Sequence, residues 1–213
     1  MAERNVFLFV PNLIGYARIL LLGSSFYFML NNYSLAILLY LLSALLDAFD
    51  GLAARLFNQS SVFGSILDML TDRVSTMGIL MTLGHLYVDY FFVFQMLLVI
   101  DIVSHWVHFF SASLQGKVSH KISDRQTNPL MRLYYESKLV LTTVCAIEQI
   151  FYCSLLVYYH EQDNAKLATY LLWPIIIGAP VILFKNYINL LQTFGACRSL
   201  GAIDSRRASF HGQ

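Results

Sequence analysis

Long apolar runs separated by short polar breaks fill most of this chain. Six segments, roughly 13–30, 34–57, 62–87, 91–113, 139–159 and 168–192, come close to or exceed the about 20 mostly apolar residues that a membrane-spanning helix needs. The breaks at 31–33 and 88–90 leave room only for antiparallel helix hairpins. Residues 3–10 read as a short interfacial helix that stops before Pro11, because the residue ahead of a proline is pushed out of the helical region. No internal repeat or low-complexity linker interrupts the pattern, so residues 1–213 are expected to form one domain. The predicted fold class is all-α: a polytopic membrane protein with six transmembrane helices and a short N-terminal interfacial helix.

Composition agrees with that class. Of the 213 residues, 57% are hydrophobic and 13% charged, against about 25% charged in a soluble domain. A net charge of +1 gives no electrostatic footprint for nucleic acid. Cys145, Cys153 and Cys197 lie in or near apolar runs without metal spacing, and are read as small core residues. The N-terminus enters Phe7-Leu8-Phe9-Val10-Pro11 without a basic region or cleavage site, so no cleaved signal is expected.

Orientation follows from Lys and Arg placement. With six spans both termini share a side. That side carries Arg4, Arg55, Lys117, Lys121, Arg125, Arg132, Lys138, Arg198, Arg206 and Arg207, and the opposite loops carry only Lys166. Both termini, the 114–138 loop and the 58–61 turn are therefore expected to be cytosolic.

Charge inside this apolar sequence is concentrated in one stretch. Asp47, Asp50, Gly51, Ala54 and Arg55 precede the 58–61 turn, and Gly64, Asp68 and Asp72 follow it, in the pattern D-x2-D-G-x2-A-R-x8-G-x3-D-x3-D. A charge within a span is expensive, so intramembrane carboxylates point to function. Asp47 and Asp50 are i, i+3 and share a helix face; Asp68 and Asp72 are i, i+4 and share another. Counted from the turn, Asp50 matches Asp68 in depth and Asp47 matches Asp72, about 10–15 Å below the turn at 1.5 Å per residue. Four carboxylates so placed repel one another unless metallated or protonated. All-oxygen ligation favours Mg2+ or Mn2+, and four acids suffice for two ions. Gly51 and Gly64 let a ligand approach the backbone, Ala54 keeps the face shallow, and Arg55 and Ser61 are placed to meet a diphosphate. Taken singly, the small residues read as packing positions, Arg55 as a positive-inside anchor and Ser61 as a helix cap.

The eight-position pattern resembles the signature of the CDP-alcohol phosphotransferase family, and every fixed position matches. The resemblance implies a six-helix membrane enzyme, commonly a homodimer, that uses a divalent metal to transfer a phosphate-linked group between a CDP-linked donor and an alcohol. It places metal ligation on Asp47, Asp50, Asp68 and Asp72, the general base on Asp72, and donor binding on Gly51 and Arg55. Asn12 resembles a further family feature near the nucleotide, although the Thr usual in that segment is replaced by Gly15 or Tyr16. The runs FLFVPNLIGYARI, LLDAFDG-x-AAR-x-x-NQ, FG-x-x-LDMLTDR and D-x-x-SHW are similar to a eukaryotic branch of the family. That branch implies CDP-diacylglycerol as donor and myo-inositol as acceptor, giving phosphatidylinositol and CMP, with Ser61 at the donor site in place of Thr. It also implies residence in the endoplasmic reticulum membrane.

Two other readings compete. Another alcohol, such as glycerol phosphate, serine or choline, would leave the signature unchanged. A divalent-cation transporter would also place acids in the membrane, but transporters usually show inverted repeats or helices broken at the midplane, and neither is visible here. Outside the signature, Asp101, His105 and His108 share a face of span 4 and read as a polar cavity lining more readily than as a metal site. Arg18, Glu148, Lys185, Asn189 and Gln192 form other polar stripes, with Lys185 and then His105 the first candidates to meet a polyol. Equally, these residues pair across the bundle to satisfy buried charge.

Overall fold

The structure of the protein, a computed structural model, describes residues 5–114, 131, 134 and 137–211. Six long α-helices are present among the described residues: α1 (Val10–Phe28), α2 (Tyr33–Leu56), α3 (Val62–Leu86), α4 (Phe91–Leu114), α5 (Lys138–Glu161) and α6 (Ala165–His211). They match the six predicted segments, except that α6 runs nearly twenty residues past the apolar run. Four segments, Tyr33–Leu56, Val88–Leu114, Leu139–His160 and Ala165–Ser205, are long and apolar enough to cross a membrane. The α1 helix holds Pro11, Asn12 and Arg18, and α3 holds Asp68, Asp72 and Arg73. Mean hydropathy averages over all faces of a helix, so inward polar residues depress it.

The N-terminal segment differs from expectation. Of the expected interfacial helix over 3–10, residues 3 and 4 lie outside the described residues, and the rest holds a single 3-10 turn, Val6–Leu8, capped by the Asn5 side chain. Pro11 does not stop a helix; it occupies the first turn of α1, where its missing N–H would have no helical partner anyway. The 114–138 loop, on which much of the orientation argument rests, lies almost wholly outside the described residues. Of the three cysteines, Cys153 is buried, Cys145 half-buried and Cys197 exposed, so the core reading holds for the first and not for the last.

The helices gather into two compact units, one of residues 1–94 with 156–162, the other of residues 95–155 with 163–213. In the first, α1 packs along both α2 and α3. Its buried face is Pro11, Asn12, Gly15, Arg18, Leu22 and Ser25, a stripe at mostly three- and four-residue spacing in which four of the six side chains are polar or absent. Contact with α3 is close. A Cβ on Gly15 would lie 2.8 Å from Leu67, and one on Gly78 would enter the Phe26 ring. Small residues at such crossings are the usual route to tight helix packing in a membrane.

The turn between α2 and α3 is specified on both sides. Asn58 adopts φ 51°, the Gln59 N–H bonds to Ala54 O at 3.0 Å and the Asn58 N–H to Arg55 O at 3.4 Å. This is the Schellman arrangement, with Asn taking the left-handed position. Ser61 then caps α3 by accepting the Gly64 N–H at 3.0 Å. The Val10 N–H donates to Gln59 Oε1 at 2.8 Å, which ties the start of α1 to the turn.

The second unit has a polar interior. Asp101, Ser104, His108, Ser111, Glu148, Lys185, Asn189 and Gln192 are all buried. Lys185 donates to Glu148, with both side chains 5% exposed. Pairing within the bundle, one of the two readings of this stripe, is therefore what the structure holds. Breaking a buried pair is costly, about 3–5 kcal/mol, because it strands the surviving charge. Lys185→Met is predicted to lower the thermal midpoint of the detergent-solubilised protein by several degrees, and Lys185→Met with Glu148→Leu to recover most of the loss. A single variant as stable as the parent would contradict the pairing.

Candidate functional site

The turn geometry brings the aspartates of α2 and α3 together around a side chain from α1. Arg18, 3% exposed, reaches all four. Its Nη1 lies 2.8 Å from Asp50 Oδ2 and 2.9 Å from Asp68 Oδ1; its Nη2 lies 2.7 Å from both Asp47 Oδ1 and Asp72 Oδ1. The pairing by depth expected from the sequence is thus reproduced: one nitrogen takes Asp50 with Asp68, the other Asp47 with Asp72. Arg18 donates hydrogen bonds to Asp50, Asp68 and Asp72 at distances typical of charge-assisted bonds and forms an ion pair with Asp47. On α2, Ser43 Oγ donates to the Arg18 carbonyl at 3.3 Å, which holds that turn of α1 in place.

The expectation that the acids stand alone, neutralised only by metal or protons, is corrected by this contact. A third solution, an internal cation, is present. Arg18 had been grouped with the polar stripes remote from the signature. The same depth count that paired the acids would have found it, since Arg18 sits eight residues into α1 and Asp50 six residues from the end of α2.

One guanidinium does not balance four carboxylates; the five side chains retain a formal charge of −3. Asp47, Asp50 and Asp68 each offer a carboxylate oxygen within 4.8 Å of the others. At that separation each like-charge pair costs about 3–4 kcal/mol with an effective dielectric near 20. The oxygens are hard donors, three of the four side chains are 40–49% exposed, and the local charge is negative, so the site fits a divalent cation. Asp72 is outside this group of three and joins it through Arg18. By contrast, Asp101, His105 and His108 do not form a metal-capable group among the described residues. His105 Nδ1 instead bonds the Asp101 carbonyl at 2.8 Å.

A cavity of about 200 Å³ opens beside the acids. Its wall contains Asn12 and Gly15 of α1, Asp50, Gly51 and Ala54 of α2, Gln59, Ser60 and Ser61 of the turn, and Gly64, Ser65 and Asp68 of α3. Ser61 Oγ accepts the Gly64 N–H and keeps its own proton to donate into the cavity. The first turn of α3 adds a helix N-terminus, which favours anions. Gly64 is required: a Cβ there would lie 2.7 Å from Asn12 Oδ1 and 3.1 Å from Ser61 Oγ. Asn12 is itself fixed, since its Nδ2 donates to Val6 O at 2.6 Å.

Of the predicted donor-site residues, Gly51 and Ser61 line the cavity. Arg55 is exposed and does not line it, although its Nη1 lies 3.6 Å from where a Gly51 Cβ would be. Asp47 and Asp72 also lie outside the wall. Gln59 and Ser65 line the cavity and were not singled out from the sequence. Single polar residues at a turn carry no signal until the turn's geometry is known.

Residues 8–177 match the CDP-alcohol phosphatidyltransferase family. The chain is 44% identical over 209 residues to a Homo sapiens protein named CDP-diacylglycerol--inositol 3-phosphatidyltransferase, covering 96% of this chain and 97% of that one. Proteins of the same name from Drosophila melanogaster and Saccharomyces cerevisiae are 42% and 37% identical, over 95% and 98% of this chain and 89% and 93% of theirs. No solved structure matches the chain. With the signature, the membrane helices and the aspartate site in register, the chain belongs to the CDP-alcohol phosphatidyltransferase family.

Proposed function

We propose that the protein transfers the phosphatidyl group of CDP-diacylglycerol to myo-inositol, giving phosphatidylinositol and CMP. The observation that carries this reading is the convergence of four aspartates beside a cavity walled by residues of the family signature. The acceptor rests on the near-full-length similarity to relatives named for inositol. All six helices are read as spanning the membrane, with the polar faces of α1 and α3 turned inward. The family match and the Lys and Arg asymmetry support a homodimer in the endoplasmic reticulum membrane with both termini cytosolic.

In this reading Asp47, Asp50, Asp68 and Asp72 hold divalent metal, Mg2+ or Mn2+, as two ions. The metal, when bound, neutralises the donor diphosphate and the charge that develops on CMP as it leaves. The protein's own groups do the rest. Gly51 and Gly64 admit the diphosphate to the backbone, Ser61 donates its hydroxyl, and Arg55 pairs with phosphate from the cavity edge. The cavity is smaller than the about 300–1,000 Å³ of a full ligand pocket, so it takes the polar head while the acyl chains lie outside. An inositol hydroxyl oxygen attacks the phosphorus attached to diacylglycerol. The bond from that phosphorus to the CMP oxygen breaks, CMP leaves with the bonding electrons, and Asp72 receives the hydroxyl proton.

The most direct test is CMP release from CDP-diacylglycerol by the purified protein, one alcohol at a time. Release that depends on myo-inositol is expected. Release with glycerol phosphate, serine or choline instead would move the chain to another branch, and no release with any alcohol would remove the enzyme reading.

Within the tetrad, roles separate by variant. Asp50→Asn and Asp68→Asn are predicted to reduce turnover by at least 100-fold, about 2.7 kcal/mol in the transition state, at saturating metal and with folding intact. Asp72→Asn should depress single-turnover product formation more than donor binding. Wild-type turnover in Asp72→Asn with normal donor binding would exclude it as the base, and equal loss of both would make it a ligand first.

Gly64→Ala is predicted to raise the donor KM by about tenfold, the size of effect expected when about 1.4 kcal/mol of binding is lost, because its Cβ displaces Asn12 or Ser61. Gly23→Ala, where an added Cβ meets nothing within 4 Å, should leave KM unchanged. Equal behaviour of the two would show that the cavity wall tolerates a methyl group.

A further inference from the structure

The way Arg18 is bonded is unusual for a purely structural arginine. A guanidinium that serves to fix a carboxylate normally grips it with two parallel N–H bonds. Arg18 instead divides its contacts, one hydrogen bond each to Asp50, Asp68 and Asp72 and an ion pair with Asp47, and its buried Nε has no hydrogen-bond partner. Such spread-out contacts satisfy a charge without fixing any one partner.

We infer that Arg18 is the resident counter-cation of the aspartate tetrad and that divalent metal competes with it for the same carboxylate oxygens, so that Arg18 sets how tightly the site holds metal. The inference rests on the tetrad being the metal site. It follows from spacing and charge. One carboxylate oxygen from each of Asp47, Asp50 and Asp68 lies within 4.8 Å of the others, and Arg18 stands 2.7–2.9 Å from an oxygen of each, inside the space that a shared metal ion would need. A Mg2+ ion with oxygens at about 2.1 Å holds any two of them no more than about 4.2 Å apart. One oxygen cannot meet both distances to two cations that occupy the same interstice. Without any cation, the tetrad would be four carboxylates in a bundle core. With Arg18 in place they stay together, and the metal enters by exchange into a site already assembled.

The test uses the full chain in detergent, with Mn2+ binding followed by electron paramagnetic resonance and thermal midpoints measured in EDTA and across a Mn2+ titration. Arg18→Gln is expected to melt lower in EDTA and to bind Mn2+ at least tenfold more tightly, and Arg18→Lys to fall between. Unchanged or weaker Mn2+ binding in Arg18→Gln would overturn the inference. If Arg18→Gln does not fold, Asp47→Asn is compared with Arg18→Gln/Asp47→Asn. Removing the arginine should still tighten Mn2+ binding in that background, and no tightening there overturns the inference. The controls separate two failures. Mn2+ binding that Asp50→Asn and Asp68→Asn abolish but Arg18→Gln leaves unmoved overturns competition alone. Absence of any Mn2+ binding that those variants abolish overturns the metal site and the inference with it.

Discussion

Four carboxylates held together in a membrane bundle set the constraint that organises the first unit. Their mutual repulsion is large on the scale of folding stability, so something positive has to stand between them. The buried guanidinium of Arg18 does so from α1. Much of the surrounding geometry serves that placement. Gly15 and Gly78 let α1 lie close against α3, Ser43 holds the Arg18 carbonyl, and the Val10 to Gln59 bond fixes where α1 begins relative to the turn. The remaining negative charge fits the site to a divalent cation and, in the proposed function, through it to a diphosphate.

The turn has a double role. It ends α2 with Asn58 in the left-handed region and begins α3 with Ser61 as cap. The bond from the Gly64 N–H to Ser61 Oγ leaves the Ser61 proton free to donate, and Ser61, Gly64 and Ser65 all line the cavity. Glycine at 64 keeps Asn12 and Ser61 in place. A small cavity with Ser61 and the first turn of α3 in its wall, and Asp50 and Asp68 in the same wall, suits a ligand that carries its own charge and brings metal with it.

The helices and the signature acids were legible because they depend on local periodicity. Six apolar runs gave six helices with bounds correct to a few residues, apart from the long extension of α6, and the i, i+3 and i, i+4 spacings placed each aspartate pair on one face. What the sequence did not disclose depends on contacts between elements. Pro11 read as a stop because proline disfavours the residue before it, yet its position in the first turn of α1 is compatible with a helix. Arg18 read as one of the polar-stripe residues that meet a polyol or pair across the bundle, and its partners stayed hidden because no spacing rule links it to Asp47 or Asp72, roughly 30 to 54 positions away. Lys185 and Glu148 offered two readings of equal weight, and the partner appears only when α5 and α6 pack.

The central claim is that the aspartate tetrad binds divalent metal in exchange for Arg18. The most direct measurement is an experimental structure of the full chain with Mn2+, located by anomalous scattering at the manganese edge. The account predicts manganese within ligand distance of Asp47, Asp50 and Asp68, with the Arg18 guanidinium withdrawn from at least two of its four carboxylates. Manganese at that position with all four Arg18 contacts intact, or manganese bound elsewhere, would contradict it.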